Sequence, residues 1–133
     1  KASFFVPLFG DGSTKFQPVF IDDVSLAVDE IINSKINGKN IYELAGPRIY
    51  SYKEFFNQIS KYLKKTRVFV PVPMALMKPM INIAEKTPFS PLTSEQLTLF
   101  EKDNLIVNVD KSFQNLDINP QDTLQILKNI VVN

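Results

Sequence analysis

Four tyrosines are the side chains of this sequence best suited to acid–base chemistry, and none has the partner that such chemistry needs. Counting four positions on from Tyr42, Tyr50, Tyr52 and Tyr62 gives Gly46, Glu54, Phe56 and Thr66. A tyrosine is activated for proton transfer when a nearby cation lowers its pKa, and no lysine stands at that spacing. We therefore predict no catalytic residue in this chain.

Gly10 and Gly12 resemble the start of a phosphate-binding loop, but the rest of the pattern is missing. The third glycine of G-x-G-x-x-G would fall at Lys15. The residues that follow predict a strand, whereas a dinucleotide site needs the N-terminus of a helix. We interpret this segment as a turn, and we expect no cofactor to bind this chain alone.

Asp22 and Asp23 are adjacent carboxylates at a predicted helix start. Acidic residues there usually cap the helix or interact favourably with its dipole. Adjacent helical residues do not face one another, so catalysis by the pair is the weaker alternative. The sequence contains no histidine and no cysteine. This excludes Ser-His-Asp triads, thiol catalysis, disulfides and His- or Cys-ligated metal, and we predict no metal site.

Two other groups have alternative interpretations. The densest basic cluster is Lys61, Lys64, Lys65 and Arg67. It suits the solvated last turn of a helix; an acidic partner or lipid headgroups are the alternative. Met74, Met77 and Met80 share one helical side. They indicate core packing, with an exposed face for a partner protein as the alternative.

The composition is that of a globular protein. The chain has 133 residues, 44% hydrophobic and 22% charged, with a net charge of +1. That length corresponds to one domain or one lobe of one, and that charge does not favour nucleic acid. No apolar run is long enough to predict a transmembrane segment. We expect a cytoplasmic protein, or one peripheral to the inner membrane.

Strands and helices are predicted to alternate, so the fold class is α/β or α+β with about five helices. The predicted strands are Gln17–Ile21, Ile41–Leu44, Arg67–Val70 and Leu105–Val109. Capping boxes are predicted at Ser51–Glu54 and Thr93–Gln96. Asn37–Lys39 are expected to end the first helical segment, and Pro88–Pro91 to form a rigid corner.

Four segments together resemble the C-terminal half of atypical short-chain dehydrogenase/reductase proteins of the NAD-dependent epimerase/dehydratase type. They are KFQPVFIDDVSLAV, KNIYELAGPRIYSYKEFFNQI, RVFVPVPMALMKPM and TPFSPLTSEQLTLFEKDN. Within that group, the resemblance points to the nucleotide-binding accessory subunits of respiratory complex I and their bacterial relatives.

The resemblance implies that residues 1–133 form the C-terminal, substrate-side lobe of a larger protein. An N-terminal Rossmann half outside this chain would hold NAD(P)H and would be its first partner. Subunits of a respiratory complex are further implied partners. The parent protein is then an NAD(P)-binding reductase- or epimerase-like protein, and the resemblance does not decide whether it is an enzyme. A non-catalytic docking module with a structural nucleotide is the alternative, and a free-standing binding domain is a weaker one.

The resemblance also points to Lys15, Phe16 and Gln17 as substrate-facing residues. In sugar-nucleotide epimerases an arginine that grips the diphosphate stands where this chain has Phe16. Phenylalanine cannot make that charge-assisted contact, so a nucleotide-sugar substrate is disfavoured. We expect an apolar pocket for a lipid-like or quinone-like group, or no substrate; the alternative is that Phe16 belongs to the core.

Overall fold

The computed structural model describes residues 4–34, 40–87, 93–107 and 109–132. The chain divides into two compact units. Unit one is Lys1–Phe16 and Ser51–Asn104, and unit two is Gln17–Tyr50 and Leu105–Asn133. The predicted ends at Asn37–Lys39 and Pro88–Pro91 lie outside the described residues.

Helices and short strands alternate along the described residues, as predicted. The strands are β1 (Phe5–Phe9), β2 (Lys15–Phe16), β3 (Tyr50–Ser51) and β4 (Val68–Val72). The helices are α1 (Ile21–Asn33), α2 (Tyr52–Tyr62), α3 (Met74–Ala84), α4 (Ser94–Thr98) and α5 (Thr123–Val132). Two 3-10 helices, Val109–Lys111 and Phe113–Leu116, precede α5. The prediction of a mixed α/β class with about five helices is confirmed.

Unit one is built around a two-stranded parallel sheet. β1 pairs with β4 in parallel, with Phe5 opposite Val68 and Phe9 opposite Val72. A core of Met77, Ile81 and Leu97 packs beneath it, with Phe9, Val72 and Met74 against that core. Of the three methionines on α3, Met77 is buried and Met80 is 62% exposed. The methionine side of α3 is thus core at one end and solvent-facing at the other.

The Gly10–Gly12 segment is a turn in the structure. Gly10 and Gly12 have φ angles of +61° and +77°, a region that glycine adopts without steric cost. The Gly12 N–H donates to the Phe9 carbonyl at 3.1 Å. The chain then enters β2, a strand, so the helix that a dinucleotide loop requires does not follow the turn.

Both predicted capping boxes are present. The Ser51 hydroxyl accepts from the Glu54 N–H at 3.2 Å, and the Glu54 carboxylate accepts from the Ser51 N–H at 2.9 Å. The same carboxylate accepts from the Ser51 hydroxyl at 2.9 Å. The bond from the Ser51 N–H first, and the bond from the hydroxyl second, lower the pKa of Glu54. Thr93 and Gln96 form the equivalent pair at the start of α4. Both boxes satisfy N–H groups that have no partner inside the helix.

Ser51→Ala should lower the free energy of unfolding by about 1 kcal/mol, because an N–H of the first turn of α2 loses its acceptor. Urea denaturation measures the change. Ser25→Ala is the matched control, since Ser25 is exposed inside α1 and its hydroxyl only donates to the Ile21 carbonyl. A Ser51→Ala midpoint equal to that of Ser25→Ala would show that the box contributes nothing.

Unit two has a separate core. Ala27 of α1 is buried with Phe113 and Leu116. Further side chains that pack against them are Val19, Ile31, Tyr42, Leu44 and Ile118. Ala27 and Ile31 thus lie on the side of α1 that faces this core, whereas Val28 is 48% exposed.

The strand predicted at Gln17–Ile21 is wrong. The strand is β2, immediately before it, and α1 already begins at Ile21. Pro18 has no N–H to donate to a ladder. The Gln17 side-chain oxygen instead accepts the Ile106 N–H at 3.1 Å, so a side chain takes the place of a backbone partner.

Two other strand predictions are also wrong, those at Ile41–Leu44 and Leu105–Val109. The Glu43 N–H donates to the Lys111 carbonyl at 2.9 Å, and the Glu43 carboxylate accepts from the Val107 N–H at 2.7 Å. The first bond ends at a 3-10 helix and the second at a side chain, so neither belongs to a strand ladder. The predicted strand Arg67–Val70, by contrast, corresponds to β4.

Asp22 and Asp23 do not cap α1, which corrects one of their two interpretations. Phe20 occupies the cap position with no side-chain hydrogen bond, and both aspartates lie in the first turn, where the dipole favours them. Asp23 is only 2% exposed. Its carboxylate accepts from the Gln121 backbone N–H at 2.8 Å and side-chain amide at 3.1 Å, which ties α1 to the segment before α5.

Candidate functional site

Lys15, the first of the three predicted substrate-facing residues, is held by its backbone and exposed at its side chain. Its N–H donates to the Asp103 carboxylate at 2.8 Å, and its carbonyl accepts from the Asn104 N–H at 2.8 Å. Its ammonium group helps to lower the pKa of Glu54, the last of the causes at that carboxyl. Lys15 is thus a fixed backbone position with a solvent-facing charge in unit one.

Phe16 lies in an aromatic cluster of unit one. Its ring stacks on Tyr52 with centroids 4.4 Å apart and planes at 15°, and meets Phe55 edge-on at 5.1 Å. Tyr52 also contacts Phe100 at 4.6 Å. Burial raises the pKa of Tyr52, so its phenol is neutral at physiological pH. The ring of Phe16 is half-buried rather than fully enclosed.

Gln17 belongs to unit two, and its side chain lines a cavity there. The side-chain amide donates to the Gly46 carbonyl at 3.3 Å, and its oxygen accepts from Ile106. These two bonds hold the glutamine in one orientation at the cavity wall. The structure therefore assigns Lys15 and Phe16 to one unit and Gln17 to the other.

The cavity has a volume of about 530 Å³, within the range of small-molecule sites. Its wall mixes apolar side chains with neutral amides and one carboxylate. The residues around it are Gln17, Ala45, Gly46, Pro47, Ile106, Ser112, Phe113, Gln114, Asp117, Ile118, Asn119 and Pro120. All of them lie in unit two.

The charge of this wall decides which ligands suit it. No lysine or arginine is among the lining residues, and Asp117 contributes a negative charge. A phosphate needs cations or converging backbone N–H groups, so this wall disfavours a phosphate. The amides of Gln17, Gln114 and Asn119 are neutral donors and acceptors. The cavity therefore suits an uncharged, partly apolar molecule with hydroxyl or carbonyl groups.

The wall of the cavity packs so closely at position 46 that a residue with a side chain does not fit there. Gly46 is buried, and a Cβ added to it would lie 1.9 Å from the Pro18 carbonyl oxygen. Gly46 and the stretch from Ser112 to Pro120 were missed as site residues, because no local spacing relates them to Gln17.

Tyr50, which has no lysine four positions later, has another role in the structure. The Tyr50 hydroxyl donates to the Asp122 carboxylate at 3.0 Å, within unit two. Burial first, and then that bond, raise the pKa of Tyr50. Within the described residues, no group of three acidic side chains is placed to hold a metal ion.

Comparison with known proteins identifies relatives of the chain. No protein-family model matches it. It is 31% identical to NADH dehydrogenase [ubiquinone] 1 alpha subcomplex subunit 9, mitochondrial, of Arabidopsis thaliana, over 87% of this chain and 31% of that protein. It is 28% identical to the NADH-ubiquinone oxidoreductase 40 kDa subunit, mitochondrial, of Neurospora crassa, over 81% of this chain and 29% of that protein.

The chain is homologous to these NADH dehydrogenase subunits. The resemblance predicted from the four sequence segments is confirmed. The chain spans about a third of the length of these two relatives. No helix in the described ranges is both long enough and apolar enough to cross a bilayer.

A solved structure has the same fold. The chain matches the triphenylmethane reductase of Citrobacter sp. with a TM-score of 0.67 and 18% identity, over 96% of this chain and 44% of that one. At this identity the likeness concerns the fold alone, and it agrees with the α/β class.

Proposed function

We propose that residues 1–133 are the C-terminal, substrate-side lobe of a longer NAD(P)-binding, reductase-like protein that assembles with a respiratory NADH dehydrogenase. An N-terminal Rossmann half holds the nucleotide, and this chain supplies the lobe at its nicotinamide end. The proposal is supported by homology to NADH dehydrogenase subunits about three times as long as the aligned segment.

The observation that carries the proposal is the incomplete sheet of unit one. β1 and β4 form a two-stranded parallel sheet. Parallel sheets are normally larger and covered on both faces. Here Val68 is 39% and Val70 is 40% exposed, and Pro7, which pairs with Val70, is exposed as well. Strands and helices of the Rossmann half would extend this sheet and cover its open face.

The nucleotide is proposed to lie on the Rossmann half because unit one offers no phosphate loop. Gly10 and Gly12 lead into β2 rather than into a helix. The N-terminus of α2 lies beside this turn, but the Tyr52 and Lys53 N–H groups already donate to the Thr14 and Gly12 carbonyls. The cavity lined by Gln17 has no cation for a pyrophosphate. This chain therefore contributes substrate-side surface rather than the pyrophosphate site of the nucleotide.

The substrate-facing role of Lys15, Phe16 and Gln17 remains part of the proposal. Gln17 is the most favourable of the three, because two hydrogen bonds orient it on the wall of a ligand-sized cavity. An uncharged, partly apolar substrate agrees with the pocket expected from Phe16.

A second candidate is a docking subunit that keeps its nucleotide for structural reasons and is peripheral to the inner membrane. The observation that favours it is the state of the tyrosines: the pKa values of Tyr50 and Tyr52 are both raised, so neither is activated for proton transfer. In this case the parent binds NAD(P)H without turning it over.

Calorimetric titration tests which part of the full-length protein binds the nucleotide. We expect the full-length protein to bind NADH or NADPH and this isolated chain to bind neither, because the pyrophosphate site of the nucleotide is proposed to lie on the Rossmann half. A dissociation constant in the low micromolar range for the isolated chain would overturn the proposal. Oxidation of bound NAD(P)H by uncharged carbonyl or quinone compounds then distinguishes a reductase from a docking subunit.

A further inference from the structure

A concave, basic groove lies at the end of α2, in unit one and apart from the cavity of unit two. Its volume is about 340 Å³. The cations on its wall are Lys61, Lys64, Lys65 and Arg67, and the hydroxyls of Ser60 and Thr66 lie beside them. No acidic side chain is among its lining residues. We call this feature the basic groove.

The backbone itself brings these cations together. α2 ends at Tyr62, and Lys64 then adopts a φ of +51°, a left-handed conformation that normally favours glycine. The chain reverses there, and the Lys65 N–H donates back to the Ser60 carbonyl at 3.0 Å. The reversal sets residues on both sides of the turn around one concavity.

Helix capping does not account for the whole cluster. Lys61 is the basic residue in the last turn of α2, where the dipole favours it. Lys64 and Lys65 follow the end of the helix. The terminal carbonyls of Ile59, Ser60 and Lys61 already accept backbone N–H groups. The lysine amines are therefore not needed as their donors.

The positive charges of Lys61, Lys64 and Lys65 are not paired with an acidic side chain in the salt bridges of the described residues. The salt bridges Arg48–Asp122 and Lys78–Glu101 do not involve these lysines, and Arg67, the fourth cation of the groove, has an interaction of its own. Like charges held close together repel one another unless an anion lies between them. A turn that gathers Lys61, Lys64 and Lys65 around an acid-free concavity thus favours a multiply charged anion.

We propose that the basic groove binds a phosphate group. A phosphate oxyanion accepts several charge-assisted hydrogen bonds at once, and lysine ammonium groups and hydroxyls are its usual side-chain donors. The phosphate comes either from the headgroup of an anionic phospholipid or from a soluble phosphate ester. This site is independent of the nucleotide and of the proposed substrate cavity.

The test compares two triple variants of the full-length protein. The groove variant carries Lys61→Gln, Lys64→Gln and Lys65→Gln. The control carries Lys86→Gln, Lys102→Gln and Lys128→Gln, at exposed positions outside the groove. Both variants lower the formal net charge of this chain by the same amount, from +1 to −2, because each loses three lysines.

Binding is measured to phosphatidylcholine vesicles with about one fifth phosphatidylglycerol, and separately to soluble glycerol phosphate. We expect the groove variant to lose about fivefold in affinity for each lysine, and about a hundredfold in total, while the control keeps most of it. Loss at the vesicles alone identifies a lipid headgroup, and loss with glycerol phosphate identifies a soluble ester; both outcomes support the site.

Equal losses in the two triple variants would overturn the proposal, since bulk charge would then explain the binding. So would a parent protein that binds neither probe. Retained NAD(P)H binding and an unchanged urea midpoint show that the groove variant is folded. If it is not, the single variants Lys61→Gln and Lys65→Gln provide the same comparison against Lys86→Gln.

Discussion

Gly46→Ala is expected to lower the free energy of unfolding by about 3 kcal/mol or more, the largest effect of any single substitution considered for this chain. The new Cβ would lie 1.9 Å from the Pro18 carbonyl oxygen and 3.0 Å from its carbon. Both atoms are backbone, so no side-chain rotation relieves the overlap. Relief requires moving the segment that also carries Gln17, and the cavity wall should be distorted with it.

Gly10→Ala is the matched control for this prediction. A Cβ at Gly10 would meet its nearest atom, Cγ of Met74, at an ordinary 3.9 Å, but Gly10 has a φ of +61°. The cost there is conformational alone, about 1 kcal/mol. Urea denaturation of both variants ranks the two costs. A Gly46→Ala variant as stable as Gly10→Ala would mean that Pro18 and Gly46 are further apart in solution.

Local signals explain which elements were predictable from the sequence. The boxes at Ser51 and Thr93 join residues within one helical turn, so their spacing alone specifies them. Strands depend on partners distant in sequence. β1 was not predicted at all, and its partner is β4, beyond two intervening helices.

Side chains that substitute for backbone partners explain the strands that were predicted wrongly. The polar groups of Gln17 and Glu43 bond to the backbone of Ile106 and Val107, respectively. Those four residues all lie in segments predicted as strands. An apolar alternation predicts a half-buried extended segment, but it does not say whether a ladder or a side chain will satisfy its backbone.

The candidate site was predictable only in part. The four sequence segments led to the correct relatives. The substrate-facing role of Gln17 stays a prediction, and its side chain lines a cavity in the structure. The opposite wall comes from residues 112–120, for which the sequence predicted no site role. These residues approach Gln17 only through the tertiary fold, and the periodicity of neither segment predicts that they do.

Phe16→Ala is expected to lower the free energy of unfolding by about 2–3 kcal/mol. Truncation of a fully buried phenylalanine costs about 3–5 kcal/mol, and the half-burial of Phe16 reduces that figure. Part of the loss is the stacking on Tyr52 and the edge contact with Phe55, since each aromatic pair contributes about 0.5–1.5 kcal/mol beyond burial. Urea denaturation followed by tyrosine fluorescence measures the change, since the chain has no tryptophan.

Two variants decide what Phe16 does. Phe16→Leu keeps most of the apolar volume and should lose less stability than Phe16→Ala, whereas Lys15→Ala, at an exposed neighbour, should change little. If Phe16→Ala is as stable as Lys15→Ala, the ring is not packed on Tyr52 in solution, and its proposed substrate-facing role gains support. If Phe16→Ala is destabilised while the full-length protein still binds NAD(P)H normally, the ring stabilises unit one, and Gln17 remains the principal substrate-facing candidate.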